Sequence, residues 1–368
     1  MFMMDPHDRA AADALEAVSR AVAAWATDAL FEADASMEQR YGPAGRRLWR
    51  SEMQSRVNHL VEAIAAGRAE LFASNAAWSR TAFIAREMAE ADLRSSLDAL
   101  GRTLQEQVPG AVWSRAEPML ALASQRIQSV SSSTASGDAL PSGLEAPEAR
   151  DARLYLLRLL QRDREGAAEI AGSALASGAT LGHVYERILM PALAEVGRMW
   201  HLQEATIADE HYCTGATQMI MARLRAAVPT RPSRGKRVVA TAVGGDLHEV
   251  GIRMVADLFD ADGWDVEFLG ANMPTADLVD AIDPDRGGHA TDLVAASAST
   301  TLAVRAMADL VMAIRSHAAT AHVPVMVGGT PFRIVPDLWQ VVGADGFALT
   351  AADAIRVGEQ LVAQRAPR

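Results

Sequence analysis

The chain has 368 residues, of which 50% are apolar and 22% are charged, and its formal net charge is −11. This composition is globular, the length allows two or three domains, and the negative charge argues against a general nucleic-acid-binding protein. Cys213 is the single cysteine, which excludes an intrachain disulfide and a multi-cysteine metal site. Because no stretch approaches a membrane span and the N-terminus lacks a signal-peptide pattern, we expect a cytoplasmic protein that contacts no membrane.

Residues 1–128 are predicted to be helical throughout. The stretch RVNHLVEAIAAGRAELF places Val57, Leu60 and Ile64 on one face, and a later stretch repeats this pattern with leucines. Apolar stripes of this kind must be buried against one another, which favours a helical bundle. Residues 129–149 are rich in Ser, Gly, Ala and Pro without periodicity and are predicted to form a linker.

Residues 150–229 are predicted to form a second, shorter bundle of four helices. The last of these helices follows Thr206, with Asp209 three residues later, which is the spacing of a capping box. In residues 236–368 the periodicity changes, and the short apolar runs VVATAV, DVEFLG, DLVAAS, VPVMVGG and GFALT alternate with helical stretches. Apolar strands that are each followed by a helix predict a flavodoxin-like, doubly wound parallel sheet. The predicted fold class is therefore α plus α/β.

The stretch GGDLHEVG, residues 244–251, directly follows the first predicted strand. Ligands bind doubly wound sheets at the carboxyl ends of the strands, so His248 in this turn is a candidate metal ligand or acid–base group. Asp246 could hold the other ring nitrogen, and Gly251 would leave the first helical turn open to a bulky group. The structural alternative is a helix N-terminus with Asp246 as the N-cap, and for the isolated pattern this alternative is the more common one.

Small and polar residues end two further strands. Ser297 and Ser299 end the third strand, and Gly328 and Gly329 end the fourth, so all four share one edge of the sheet with His248. Hydroxyl groups and a glycine pair would leave a polar slot for a flat ring with a ribose and phosphate tail. The elements DLHEVG, SAS and VGG resemble the D-x-H-x-x-G, S-x-L and G-G signature of domains that bind cobalamin with its own base displaced and a histidine on cobalt. Ser299 departs from this signature, which usually has Leu.

The resemblance implies a role for each matching residue. His248 would be the lower axial ligand of cobalt, and Asp246 would orient it. Ser297, Gly328 and Gly329 would surround the displaced dimethylbenzimidazole and its nucleotide tail. Because the corrin already holds the metal, one protein histidine would suffice.

The predicted bundle of residues 150–229 contains a second pattern, WHLQEATIADEH. Trp200 would end one helix, and Glu210 and His211 would lie one turn into the next. Taken alone, these residues are more typical of a core tryptophan and a solvated Glu-His pair. Beside a cobalamin signature the pattern resembles the light-sensing cobalamin domains of CarH-type transcriptional repressors. The resemblance implies adenosylcobalamin as the cofactor, with these three residues around its adenosyl group and His201 as the upper cobalt ligand after light breaks the carbon–cobalt bond.

The layout of the whole chain is similar to that of the photocobilins, which join a cobalamin module to a helical region that binds biliverdin. Bilin binding needs an aromatic cleft with basic groups for the propionates. The candidate bilin-binding residues are Tyr41, Arg46, Arg47, His59, Trp78 and Arg80. Each of them taken singly is more typical of a core aromatic or a surface base.

These resemblances predict a photoreceptor that is not an enzyme. Photolysis would change the bundle, alter homo-oligomeric contacts and signal to an unknown effector, without direct DNA binding. The main alternative is a corrinoid shuttle protein of a methyltransferase system. It needs an upper corrin face open to its partners, and it ranks second because Trp200, Glu210 and His211 are expected to fill that face. A cobalamin-dependent mutase is less favoured because no barrel of about 250 residues accompanies the signature, and a vestigial interaction module does not fit a complete signature.

Overall fold

The computed structural model describes residues 4–129, residue 144 and residues 146–365, and the chain divides into two compact units. Unit 1 comprises residues 4–129 together with the short segments 300–305 and 333–342. Unit 2 comprises the remaining described residues from residue 144 onwards. Most of the predicted linker lies outside the described residues.

Residues 4–129 of unit 1 are helical, which confirms the predicted fold class of this region. The helices are α1 Pro6–Ala17, α2 Ser19–Ala33, α3 Ser36–Tyr41, α4 Gly45–Ala66, α5 Ala69–Ala85, α6 Glu90–Gln107 and α7 Gly110–Ser129. Asp5 caps α1 by accepting a hydrogen bond from the backbone N–H of His7 at 2.7 Å. The apolar stripes meet in a core, in which Leu15, Leu60 and Trp49 are fully buried. Burial of these stripes, rather than helix propensity, holds the helices together.

Segment 300–305 is held within unit 1 by an ion-pair cluster around Arg305. The backbone N–H and Nε of Arg305 donate to the carboxylate of Glu62 at 2.9 and 2.7 Å. The terminal nitrogens of the same guanidinium donate to Glu16 at 2.8 Å. Glu62 is buried, whereas the side chain of Glu16 is 56% exposed. Helices α1 and α4 therefore both bind one arginine of a segment that lies more than 230 residues later in the chain.

Two further contacts join the later segments of unit 1 to its N-terminal helices. Nδ1 of His59 lies 2.7 Å from Oγ1 of Thr301, and burial lowers the pKa of this histidine to about 4. Arg68 donates to Asp337 of segment 333–342 at 2.6 Å. These pairs are too far apart in sequence to be anticipated from local patterns.

The first part of unit 2 is the predicted bundle of four helices. Its elements are α8 Arg150–Leu160, α9 Arg164–Ala176, α10 Leu181–Val184, a π-helical turn Tyr185–Leu189, α11 Met190–His201 and α12 Ile207–Ala227. The capping box at the start of α12 is present, because Thr206 Oγ1 accepts from the backbone N–H of Asp209 and the Asp209 carboxylate accepts from that of Thr206. The π turn was not predicted, and Cys213 packs in the apolar core of the bundle.

The second part of unit 2 is a five-stranded parallel sheet in the order β2-β1-β3-β4-β5. The strands are β1 Arg237–Val243, β2 Asp265–Met273, β3 Leu293–Ser297, β4 Val325–Gly328 and β5 Gly346–Phe347. The accompanying helices are α13 Val250–Ala261, α14 Thr275–Ala281, α15 Val304–Ser316, α16 Thr330–Ile334, α17 Leu338–Val341 and α18 Ala351–Arg365, parts of which belong to the segments of unit 1. The doubly wound prediction is confirmed, and β5 is shorter than the predicted GFALT run.

The chain leaves β1 towards β2 on one side and returns to β3 on the other, so the winding direction reverses between β1 and β3. Crevices at such a reversal are the usual ligand sites of open α/β sheets. Among the helices of the described ranges, none is long and apolar enough to cross a membrane.

Candidate cofactor site

His248 lies in the turn between β1 and α13, at the reversal point of the sheet. Its Nδ1 is 2.8 Å from Oδ1 of Asp246, and its side chain is 67% exposed. The hydrogen bond to Asp246 raises the pKa of His248 against the opposing effect of burial, and the charges of Asp246 and Glu210 add to the rise. With Nδ1–H donating to the carboxylate, Nε2 is the ring nitrogen left for a metal or another external group.

Asp246 organises this turn through several contacts. Its carboxylate accepts from the backbone N–H of His248 at 3.0 Å and from that of Ser299 at 2.5 Å, in addition to the imidazole. Burial raises the pKa of Asp246, but these hydrogen bonds outweigh burial and the net pKa is lowered. The alternative in which Asp246 caps a helix is wrong, because α13 begins at Val250 and Glu249 occupies the N-cap position.

At the same edge of the sheet, the hydroxyl of Ser297 has no hydrogen-bond partner among the described residues. The residue is buried at the end of β3. An unmade hydrogen bond at a buried hydroxyl is unfavourable, so this atom fits a site for a polar group of a ligand.

The three glycines predicted for the site differ in how much space a side chain would find there. A Cβ on Gly251 would meet no atom within 4 Å, so the first turn of α13 presents an open backbone face. A Cβ on Gly328 would make an ordinary contact of 3.5 Å with the Ala348 carbonyl. Gly329 has φ of 112°, and a Cβ there would lie 1.9 Å from the carbonyl oxygen of Ala298. The fold itself therefore requires Gly329, whether or not a ligand passes beside it.

The sequence reasoning missed Asn272 at the end of β2. Its Oδ1 accepts from the backbone N–H of Gly245 at 2.7 Å, and its own N–H donates to the carbonyl of Asp246 at 2.9 Å. Asn272 has φ of 54°, a left-handed conformation that asparagine tolerates better than most residues. The sequence signal that could have indicated this role is an asparagine at the carboxyl end of the strand predicted after β1.

A second missed contact links the bundle to the His248 turn. Nε2 of Gln218 on α12 donates to Oε1 of Glu249 at 2.7 Å. Glu249 directly follows His248, so α12 is hydrogen-bonded to the same turn that presents the imidazole.

The predicted residues of the bundle lie where α11 ends and α12 begins. Trp200 is 43% exposed, and the adjacent His201 is buried. The carboxylate of Glu210 accepts from Thr214 Oγ1 at 2.9 Å, and His211, whose side chain is 71% exposed, has Nε2 at 3.6 Å from it. Because Gln218 of α12 is hydrogen-bonded to Glu249, the neighbour of His248, the structure brings α12 and the DLHEVG turn to one region of unit 2.

The candidate bilin-binding residues of unit 1 mostly use their polar groups within the protein. Tyr41 donates to Asp92, and His59 contacts Thr301. Arg46 pairs with Glu38 and Asp28, and Arg80 pairs with Glu90. Arg47 is exposed, and Trp78 is 43% exposed.

Comparison with known proteins shows which domains the sheet and the bundle resemble. Residues 236–357 match the family model described as B12 binding domain, and residues 152–225 match a second model with the same description. This chain is a cobalamin-binding protein. The two matches together span the sheet with the His248 turn and the helical bundle beside it, and they begin after the N-terminal helices of unit 1.

Similar proteins support the assignment of a cobalamin-binding protein. A corrinoid protein of Desulfitobacterium hafniense is 26% identical over 210 residues, which are 55% of this chain and 94% of the relative. Trimethylamine corrinoid protein 1 of Methanosarcina mazei is 25% identical over 198 residues, which are 52% of this chain and 88% of that protein. The structure of the monomethylamine corrinoid protein of Methanosarcina barkeri aligns with a TM-score of 0.50 at 21% identity, covering 56% of this chain and 96% of its own, and it shows the shared fold.

Proposed function

We propose that His248 is the lower cobalt ligand of a corrinoid bound at the carboxyl edge of the sheet. Its exposed imidazole, held by Asp246, and the partnerless hydroxyl of Ser297 are the observations that support this assignment. Gly251 and Gly328 would line the space for the nucleotide tail, and the backbone of Ser299 would hold Asp246 in place.

Variants of His248 and Ser297 test this site. His248→Ala should remove the spectrum of a histidine-bound, base-displaced corrinoid when the full chain is titrated with cobalamin. Ser297→Ala should weaken binding by about five- to tenfold, the effect of one hydrogen bond, without lowering the stability of the free protein. Unchanged spectra and affinity in both variants would contradict the assignment.

The function that we propose first is that of a corrinoid protein that carries a methyl group for a methyltransferase partner. The observation that carries this proposal is the similarity to corrinoid proteins that are named for trimethylamine and dimethylamine. A bound corrinoid supplies a cobalt atom that accepts and releases a methyl group. The exposed side chains of Trp200 and His211 support a rim of the bundle that partner proteins can reach.

The carrier function is tested with the reduced, cobalamin-loaded full chain, trimethylamine and a purified trimethylamine:corrinoid methyltransferase. We expect the visible spectrum to change to that of methylcobalamin at a rate that depends on the methyltransferase, and His248→Ala to abolish the change. The same assay is run with dimethylamine and with monomethylamine, each with its own methyltransferase. If none of the three methyltransferases raises the methylation rate above the rate without enzyme, the carrier function for methylamines is excluded.

A light-sensing cobalamin protein is the second candidate. The specific observation in its favour is the pattern of Trp200, His201, Glu210 and His211, at the start of a helix that is hydrogen-bonded to the His248 turn through Gln218 and Glu249. In this candidate the cofactor would be adenosylcobalamin, Trp200, Glu210 and His211 would lie beside its adenosyl group, and His201 would have to leave its buried position to become a second cobalt ligand. The output would be a light-dependent change in homo-oligomeric state that is transmitted to an effector.

Illumination separates the two candidates. The full chain loaded with adenosylcobalamin in the dark should, as a light sensor, change its visible spectrum and its elution volume together in green light. His201→Ala should keep dark binding and lose the stable light-state spectrum. A spectrum that changes without any change in elution volume, together with methylation by the partner enzyme, favours the carrier.

Biliverdin would be a second chromophore only if the protein is a light sensor. Because Tyr41, Arg46 and Arg80 are already paired, a bilin would have to replace intramolecular hydrogen bonds in unit 1. A red absorption band after purification with added biliverdin would support it, and the absence of that band would remove it.

A further inference from the structure

Unit 1 contains a buried arginine that no carboxylate of the described residues binds. Arg56 lies in the middle of α4 with 4% of its surface exposed, and its Nη1 and Nη2 have no hydrogen-bond partner within the described part of the chain. Trp49 lies two turns earlier on the same face of α4, and its buried Nε1 is also without a partner there. Three donor nitrogens in the interior of unit 1 are therefore without an acceptor among the described residues.

The surroundings of this guanidinium are aromatic. It lies 5.8 Å from the ring of Trp49 and 5.5 Å from the ring of Phe83. Trp49 packs edge-on against Phe83 and against Tyr41, with ring centroids 5.4 and 5.5 Å apart. Contact with aromatic faces attracts a cation, but it does not satisfy N–H donors.

Arg56 is nevertheless charged at neutral pH. Burial lowers the pKa of this arginine to about 10, and the charge of Glu52 one turn earlier on α4 acts in the opposite direction. Glu52 is only partly buried and makes no hydrogen bond to the two terminal nitrogens of Arg56. Arg80, which lies one turn before Phe83 on α5, is buried too, but Glu90 balances its charge at 2.8 Å. The interior around Phe83 thus holds one cation without an anion.

A buried cation without a partner costs several kcal/mol of folding free energy in general, and a ligand that supplied the missing anion would offset this cost. We propose that Arg56 and Trp49 form the anion-binding end of a ligand site inside unit 1, which takes a monocarboxylate attached to an apolar body. The two terminal nitrogens of a guanidinium match the two oxygens of a carboxylate, and Trp49 Nε1 supplies a third donor.

The single unpaired charge selects the class of ligand. A carboxylate carries one negative charge, which Arg56 alone neutralises, whereas a phosphate dianion would bring a second charge into an interior whose other arginine is already paired. The rings of Trp49, Phe83 and Tyr41 pack edge-on against one another and make these surroundings apolar, which suits an apolar ligand body. This site is independent of the proposed cobalamin function, and its residues, apart from the packing of Tyr41, differ from those of the bilin hypothesis.

The probes that test the site are naphthalene-2-carboxylate and octanoate, each compared with its neutral primary amide. Binding to the full chain, with and without cobalamin, is followed by the indole N–H signal of Trp49 in ¹⁵N-labelled protein and by the thermal unfolding midpoint. We expect at least one acid to bind at least tenfold more tightly than its amide and to shift the Trp49 signal downfield. Arg56→Met should remove the preference for the acid, and Arg50→Met, a change at an exposed arginine of the same helix, should keep it.

Stability in the absence of probe provides a second readout. If the charge of Arg56 is unpaired, Arg56→Met should unfold at the same temperature as the wild type or higher. A lower midpoint, matched by an equal loss in Glu52→Gln, would show that Arg56 has a structural role through Glu52 and would overturn the proposal. Equal binding of acid and amide, or no binding of either acid, would also overturn it.

Trp49→Phe keeps the aromatic packing and Arg56 while removing one donor. It should weaken binding of the acid about fivefold without changing binding of the amide, as measured by the thermal midpoint. This variant tests the site even if Arg56→Met does not fold, because equal affinities of the acid for Trp49→Phe and wild type would exclude Trp49 from the site.

Discussion

Oδ1 of Asp246 lies 2.8 Å from Nδ1 of His248, and the other oxygen of the same carboxylate binds the backbone N–H of Ser299. One buried carboxylate thus joins the end of β3 to the turn that follows β1, across the point where the winding of the sheet reverses. The position of the candidate cobalt ligand therefore depends on the packing of two neighbouring strands as well as on its own turn.

Asp246→Asn should weaken cobalamin binding by about 10- to 100-fold, because a neutral amide orients an imidazole less strongly than a carboxylate does. The affinity is measured by absorbance titration of the full chain. Asp265→Asn is the control, because the side chain of Asp265 is 67% exposed at the opposite end of the sheet. Equal affinities of Asp246→Asn and wild type would show that the carboxylate does not orient the ligand.

Two glycine substitutions at the same edge should have opposite effects on stability. Gly329→Ala should lower the free energy of unfolding by at least about 2 kcal/mol, because a Cβ would overlap the carbonyl of Ala298 and because φ is positive. Gly251→Ala should raise it by about 0.5–1 kcal/mol, since alanine is the better helix former and open space surrounds the position. Urea denaturation of the cofactor-free chain measures both, and a stable Gly329→Ala would contradict the geometry.

The same Gly251→Ala variant is also titrated with cobalamin to measure its binding affinity. If the bound corrinoid lies against the first turn of α13, the added methyl group should weaken binding although it stabilises the free protein. An unchanged affinity would move the cofactor away from this turn.

Unit 1 should lose stability as the solution is acidified, in part because of His59. Burial lowers the pKa of His59 from 6.5 to about 4, so the folded state holds the neutral imidazole more strongly than the unfolded chain does. This contribution is complete above about pH 6.5 and is lost as the pH falls towards 4. His59→Gln should remove about 1–2 kcal/mol of the fall in unfolding free energy between pH 7 and 4.5.

Urea denaturation followed by tryptophan fluorescence at several pH values measures this dependence. His7→Gln is the matched control, because His7 is exposed at the start of α1. Parallel curves for His59→Gln and wild type would show that His59 does not titrate in this window.

Glu62→Gln should destabilise unit 1 more than Glu16→Gln does, although both carboxylates bind Arg305. Glu62 is buried, and its loss leaves the guanidinium without its nearest charge, which costs about 3 kcal/mol. Glu16 is 56% exposed, so its loss should cost less than about 1 kcal/mol. Chemical denaturation distinguishes the two variants, and equal losses would mean that burial does not govern this cluster.

Local patterns were sufficient for much of the fold. The apolar stripes at helical spacing, the capping box of Thr206 and Asp209, and the alternation of apolar strands with helices each depend on residues close in sequence. The short β5 and the π turn of Tyr185–Leu189 were not predictable, because tertiary packing decides how far a marginal element extends.

In the candidate site, too, some features were predictable from local sequence and others depend on tertiary packing. The spacing of Asp246 and His248 determined their hydrogen bond, since both lie in one turn. The role of Asn272, the contact of Gln218 with Glu249 and the internal requirement for Gly329 involve residues from other elements, which no local pattern brings together.

The sequence by itself determined the fold class, through the periodicity of its strands and helices, and it indicated a cobalamin cofactor through the resemblance of DLHEVG, SAS and VGG to a known signature. Only the tertiary structure decided which polar groups find partners. Ser297 Oγ and the two terminal nitrogens of Arg56 remain without partners among the described residues, whereas Arg305 is bound by Glu62 and Glu16. The physical reason is that hydrogen bonding and charge compensation in the interior depend on side chains that are distant in sequence and meet only after the chain has packed.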